Sequence, residues 1–332
     1  MIEYIVKRVL LLIPVMTVIS IVIFVVIQLP PGDYLTNYIA NLEQQGIDVT
    51  ESEAASLRRT YGLDQGIAEQ YFRWISNIIL HGDFGRSFAW NKPVSALLWE
   101  RVPLTIIISL ITTIFIYAVS IPIGIYTATH KYSFFDYFWT FIGFIGLSVP
   151  GFLLALLIIW WTYSILGISI SGLFSQEYIA EPWSIGKVFD MLKRIWFPII
   201  IIGMSGTAGL IRVMRGNLLD ELQKQYVTTA RAKGVPEKTV LYRYPVRIAV
   251  NPIVSTVGWV LPSVVGGEVL VSIVLNLPTT GPVLLKAVMF QDMYLAGSIT
   301  LILSLLTVIG TLIADILLVW IDPRIRFSGL EK

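Results

Sequence analysis

Long apolar runs alternate with polar intervals along this chain, and the runs set its frame. Val9–Leu29 follows Lys7 and Arg8 and contains no ionisable side chain over twenty-one residues. It is too long for the core of a signal peptide, and Pro30-Pro31 follows it in place of a small-residue cleavage site. We read it as an uncleaved first membrane span with its N-terminus in the cytoplasm. Further spans are predicted at Val102–Thr129, Tyr137–Leu166, Ile195–Met214 and Ile253–Leu275, with a sixth inside Met293–Ile321. Gly143, Gly146 and Pro150-Gly151 interrupt the third, where a kink is expected whose freed backbone groups need a neighbour or a cavity.

The polar intervals then alternate between the two sides. Residues 32–101 form a large external segment with helical pattern at Ser52–Tyr61 and Glu69–Leu80. Tyr71, Trp74, Ile75 and Ile78 share one face of the second helix, which we expect against the bilayer surface. His130-Lys131 is a short inner turn, 167–193 a second external loop that carries Glu177, Glu181 and Asp190 and has room for a short helix, and Leu277–Asp292 an external turn. Three parts result: a first helix at 1–31, the external segment at 32–101, and a five-helix core at 102–327.

Composition agrees with this frame. The chain is 55% hydrophobic and 14% charged with a mean hydropathy of +0.75, far from a soluble average. It has no Cys and two His, which removes disulfides, thiolate chemistry and a histidine metal cluster. The net charge of +2 carries little information beside its distribution.

That distribution singles out residues 215–252. Seven Lys or Arg stand there against three acids, between two apolar runs, which marks a cytoplasmic loop. Leu218, Leu222 and Tyr226 recur at i, i+4, i+8 as one apolar stripe. Gly234 stands where a helix C-cap takes positive φ, and Pro236 where the next helix starts, so two short helices with a hard break are predicted. Ala230 and Ala232 put small side chains before the break, where another protein's backbone would approach closely.

The run Tyr226–Gly234, YVTTARAKG, with Pro252 eighteen residues past the glycine, resembles the cytoplasmic coupling loop of binding-protein-dependent ABC importer permeases. It is most similar to the first permease of dipeptide and oligopeptide importers. Thr228 and Thr229 replace the wider family's Glu and first Ala, and Tyr244 stands at its Ile position, departures usual in the peptide branch. Gly62-Leu63-Asp64, Gly82–Ser87 and the tail Asp322–Phe327 resemble further signatures, while Thr279-Thr280 departs from the family's W-P-G-L-G.

The resemblance implies an all-α polytopic fold of six transmembrane helices, the type I importer permease fold. Its coupling residues would be Leu222, Tyr226, Thr229, Ala230, Arg231, Ala232, Lys233 and Gly234. It also implies a second homologous permease, two cytoplasmic ABC ATPases that bind the ATP, and an extracytoplasmic substrate-binding protein. The remaining partner is the lipid bilayer; no nucleic acid and no cofactor of the chain's own are expected. Peptides are the expected cargo by family frequency, with oligosaccharides or nickel as alternatives.

No Walker loop, H-E-x-x-H or G-x-S-x-G occurs, so the chain does not hydrolyse ATP by itself. Gly82–Ser87 has neither a following Lys-Ser or Lys-Thr nor a preceding strand, which argues against a phosphate loop. Glu268 and Asp315 are acids inside apolar spans, each expected to face protein or water. For Glu268, beside Gly266-Gly267, two roles stand open: lining a translocation path or gate together with Ser148 and Pro150, or a structural hydrogen bond to a partner or neighbouring helix. For Asp315 a structural role is expected. An ion-coupled secondary transporter would need more intramembrane ionisable groups or broken helices around a midplane site. An intramembrane hydrolase would need paired Asp motifs or a Ser/His set, which are lacking.

Overall fold

The computed structural model describes residues 2–29, 65–87 and 89–321. The expected helix Ser52–Tyr61, the Gly62-Leu63-Asp64 motif and the tail Asp322–Phe327 lie outside the described residues. Fourteen helices occur among the described residues, and no strand beyond an isolated bridge between Arg86 and Pro93. In order, they are α1 (Ile2–Gln28), α2 (Ile67–His81), α3 (Val94–Thr129), α4 (Phe134–Ser148), α5 (Gly151–Leu166), α6 (Gln176–Ile179) and α7 (Ile185–Arg194). There follow α8 (Trp196–Leu222), α9 (Gln225–Ala232), α10 (Glu237–Arg243), α11 (Pro245–Ser255), α12 (Val257–Val274), α13 (Thr280–Met289) and α14 (Met293–Ile321). Among them α1, α3, α8 and α14 are long and apolar enough to cross a membrane; two bent pairs bring the number to six if each crosses as one span.

The chain divides into two compact units, and the division runs through α1 near its start, through α3 and through α14. One unit takes residues 6–105 and 279–306. Its core joins Val94, Leu97 and Leu98 of α3 to Val283 and Ala287 of α13 and to Leu295, Ala296 and Ile299 of α14. A second cluster sets Trp74 of α2 against Ile23 and Phe24 of α1 and Leu301 of α14, with Tyr71, Ile75 and Ile78 packed beside it. The face expected against the bilayer surface therefore covers protein instead. Two polar contacts hold it there: the Ser20 and Tyr71 hydroxyls meet at 2.8 Å, and Gln28 donates to Gln70 at 3.0 Å. Leu277–Asp292 also departs from expectation, since α13 occupies most of it and buries Thr280, Gly281, Val283 and Ala287. Thr280 and Thr105 share a buried hydroxyl contact of 3.1 Å, and a sequence pattern cannot announce such a partner 175 residues away.

The Gly82–Ser87 turn has a structural role. Gly82 and Gly85 carry φ of +64° and +86°, and the turn delivers Ser87 to Asp292. Asp292 is fully buried; it accepts from Ser87 Oγ at 2.6 Å, from the Ala89 amide at 3.1 Å, and from the Leu295 amide at 3.2 Å as cap of α14. Asp292→Ala would strand these donors together, at about 2–3 kcal/mol. The expected result is a lower thermal unfolding midpoint of the detergent-solubilised chain, with Asp292→Asn between the two; an unchanged midpoint would remove the staple.

The other unit takes residues 1–5, 106–278 and 307–332, and α8 is its axis. Leu210, Met214 and Leu218 of α8 meet Ile116 and Ala128 of α3, Val246, Ala249 and Ile253 of α11, and Val260 and Val264 of α12. The helix runs two turns past the predicted end of the fourth span, because Leu218 is buried there and Asn217 donates to the Ala249 carbonyl. The predicted third span is α4 and α5, whose axes differ by 110°, a sharper break than a kink. Val149 before the proline is extended, with φ −94° and ψ 118°, and Pro150 caps α5, so two successive residues leave helical space. At Gly146 a β-carbon would stand 3.0 Å from Met204 Cγ and 3.2 Å from the Met204 carbonyl. That glycine serves the close crossing of α4 and α8.

Candidate functional site

Residues 223–244 form a compact corner between α8 and α11. Lys224 leaves helical space with ψ 147°, and α9 starts at Gln225. The helix ends in a complete Schellman motif: Gly234 sits at φ +74°, its amide donates to the Arg231 carbonyl at 2.9 Å, and the Val235 amide reaches the Ala230 carbonyl at 3.3 Å. Pro236 then caps α10, one position earlier than the predicted first-turn place, with ψ 137°. Tyr244 turns the chain again at ψ −81°, and Pro245 opens α11. Pro252, expected to close the loop, lies inside α11.

A small core keeps α9 and α10 together. Val227, Ala230 and Val240 are buried, with Tyr226, Val235 and Tyr244 packed around them. Arg231 clamps Glu237 through two nitrogens, at 2.6 Å from Nη2 and 3.1–3.2 Å from Nε. The Arg231 guanidinium holds the Glu237 carboxyl below its usual range. Both side chains are exposed, so the clamp sets geometry more than stability. The Tyr226 hydroxyl donates to the Glu221 carboxylate at the end of α8; burial first, and that carboxylate second, push the phenol's pKa up.

The expected site residues separate into two groups here. Thr229, Arg231, Ala232, Lys233 and Gly234 are exposed, as is Thr228. Leu222 ends α8 and is half-buried against the unit's core, so Leu218, Leu222 and Tyr226 do not share one helix. Ala230 also departs from the expected outward placement. At 7% exposure it is small because α10 packs on it, and its side chain faces the corner's own interior.

Glu268, Ser148 and Pro150 do not join the corner. Ser148 and Pro150 are exposed at the α4–α5 break. Adjacent Gly151 abuts Val271, one turn beyond Glu268 on α12. Glu268 is 2% exposed and accepts from Ser109 Oγ of α3 at 2.9 Å. It is turned away from the open face of α12, where β-carbons at Gly266 and Gly267 would meet nothing within 4 Å.

One contact was missed at the sequence level. Arg215 of α8 donates to both carboxylate oxygens of Asp136 on α4, each at 2.9 Å. Asp136 also accepts from the Tyr132 amide at 3.0 Å, while its own amide donates to Ser133 Oγ. Ser133-x-x-Asp136 is a capping-box spacing, so the helix start was readable there; the arginine opposite it was not.

Comparison with known proteins settles the family. The model described as "Binding-protein-dependent transport system inner membrane component" matches residues 120–327, and its N-terminal companion matches 1–111. This chain belongs to that family. The permease is 33% identical, over 98% of its length and all of the relative's, to the Bacillus subtilis oligopeptide transport system permease protein AppB. It is 29% identical to the Alkalihalophilus pseudofirmus dipeptide transport system permease protein DppB, covering 98% of this chain and 100% of that one. It is 30% identical to the inner membrane ABC transporter permease protein YejB of Escherichia coli O157:H7, over 98% and 99% of the two chains. The permease is accordingly an integral membrane component of a transport system.

Proposed function

We propose that this permease carries di- and oligopeptides across the membrane in a complex with a second permease, two cytoplasmic ATPases and an external binding protein, and that the α9–α10 corner receives the ATPase stroke. The observation that carries the reading is the corner itself. A solvated linker needs no Schellman motif, no buried core and no clamp, and this segment has all three. Thr228, Thr229, Ala232 and Lys233 crown it with small or flexible side chains over an ordered backbone, a surface suited to a groove. The corner is joined at both ends to helices of the bundle's core, so its displacement is passed to the spans rather than absorbed. The peptide cargo rests on the relatives' named transport systems.

Topology tests the frame. Reporters fused at Lys233 and Leu330 are expected to read cytoplasmic and one at Asp48 external; an external reading at Lys233 would overturn the coupling role. Ala232→Glu tests the surface without disturbing the corner's core, because Ala232 is exposed where Ala230 is not. In the reconstituted transporter it is expected to cut peptide uptake and substrate-stimulated ATP hydrolysis together, with normal membrane levels. Lys131→Ala, in the α3–α4 turn, is the control and retains both. Titrating the partner binding protein with peptides and oligosaccharides reads the cargo directly.

A further inference from the structure

Helix α7 is amphipathic in the inverted sense. Lys187, Asp190, Met191 and Arg194 recur at i, i+3, i+4, i+7 and face the protein: Lys187 and Met191 are 7% and 6% exposed, and the Asp190 and Arg194 side chains 15% and 33%. Ile185, Val188, Phe189 and Leu192 have the same spacing on the other side, at 79%, 39%, 61% and 44% exposure. A helix set against water by a folded protein shows the reverse arrangement. The inward charges are well provided for. Lys187 Nζ donates to the Glu181 carbonyl and stands 4.9 Å and 5.7 Å from the Phe174 and Trp183 ring centres. Asp190 accepts from the Ser175 amide at 2.6 Å and lies 3.6 Å from Arg194 Nε. This orientation is therefore fixed by polar contacts, and the apolar face is left outward.

The apolar face continues into a membrane span. Only Ile195 separates α7 from α8, and exposed Trp196, Phe197 and Ile200 carry the surface onward. Exposed Trp183 and Trp196 bracket α7, and exposed Lys193 borders its apolar arc, a composition suited to the boundary of headgroups and acyl chains. The α8 helix measures about 40 Å at 1.5 Å per residue, so α7 and the α9–α10 corner lie at opposite membrane faces. We infer that α7 is a lipid-docking helix: Ile185, Val188, Phe189 and Leu192 insert into the bilayer surface on the side away from that corner. The segment predicted as a polar external loop thus becomes a membrane contact.

The chain contains no cysteine, so single reporters are simple to place. Bimane would be attached to Phe189→Cys, to Leu192→Cys and, as the water-exposed reference, to Glu181→Cys. Each full chain would be purified with the subunits that hold it and reconstituted into phosphatidylethanolamine–phosphatidylglycerol vesicles. Quenching by a lipid with a doxyl group high on its acyl chain is then compared with quenching by iodide. The lipid-to-iodide ratio is expected to be several-fold higher at 189 and 192 than at 181. Equal or lower ratios would put the face in water. A probe at 189 and 192 that neither quencher reaches would mean that a protein subunit covers it. Either outcome overturns the inference.

Discussion

Gly234→Val is expected to leave the permease in the membrane and abolish most of its transport. The backbone at Gly234 holds φ +74°, and a β-carbon there would meet no atom within 4 Å. The penalty is therefore backbone strain alone, about 1–2 kcal/mol or more for a β-branched residue in the left-handed region. Three buried side chains form the centre of the corner, too little to hold a strained turn in place. Relaxation of φ breaks the Val235–Ala230 and Gly234–Arg231 bonds and swings α10 relative to α9, while the spans stay embedded. Because the cause is dihedral rather than steric, the substitutions should rank by tolerance of positive φ: Asn retains most activity, Ala less, Val least. Uptake and substrate-stimulated ATP hydrolysis, normalised to membrane level, measure this. Full activity of the Val variant would show that the corner does not couple.

Loss of Arg215 is expected to have the largest effect on stability. Its partner Asp136 has a side chain 3% exposed, whereas the arginine is 29% exposed. Arg215→Met leaves a buried carboxylate facing one backbone amide, a loss of about 3 kcal/mol or more. Asp136→Asn leaves an arginine with a route to solvent, and the amide side chain keeps an oxygen for the Tyr132 amide, so its effect is smaller. The asymmetry also fixes the double variant: adding Asp136→Asn to Arg215→Met restores stability, since no orphaned charge remains. Unfolding midpoints of the four proteins in one detergent give the cycle. A double variant no better than Arg215→Met alone would mean that the carboxylate is not the source of the loss.

Much of the corner was legible because its signals are local. Gly234, one residue, then Pro236 punctuates the chain, and the left-handed turn falls on that glycine. What was not legible depends on distant partners. Arg215, Asn217 and Asp220 look like loop residues, yet α8 continues through them because Leu218 and Asn217 find α11 about thirty residues later. Ala230 shows the same limit: a small residue before a break suits an outside partner or an inside one, and Val240 decides for the inside. The face of α2 was recognised as apolar, but α1 and α14 covered it rather than lipid. Inverted amphipathy in α7 had no sequence signature, since period alone does not say which face turns inward.

Helix α8 also behaves as a lever. It is continuous for 27 residues, with the corner attached at one end and α7 at the other. A rod of about 40 Å that tilts by about 5° about one end carries its far end roughly 3.5 Å. A modest rotation imposed at the corner would thus reach the opposite membrane face as a displacement wider than a water molecule, and α7, seated in lipid beside that end, would act as its bearing.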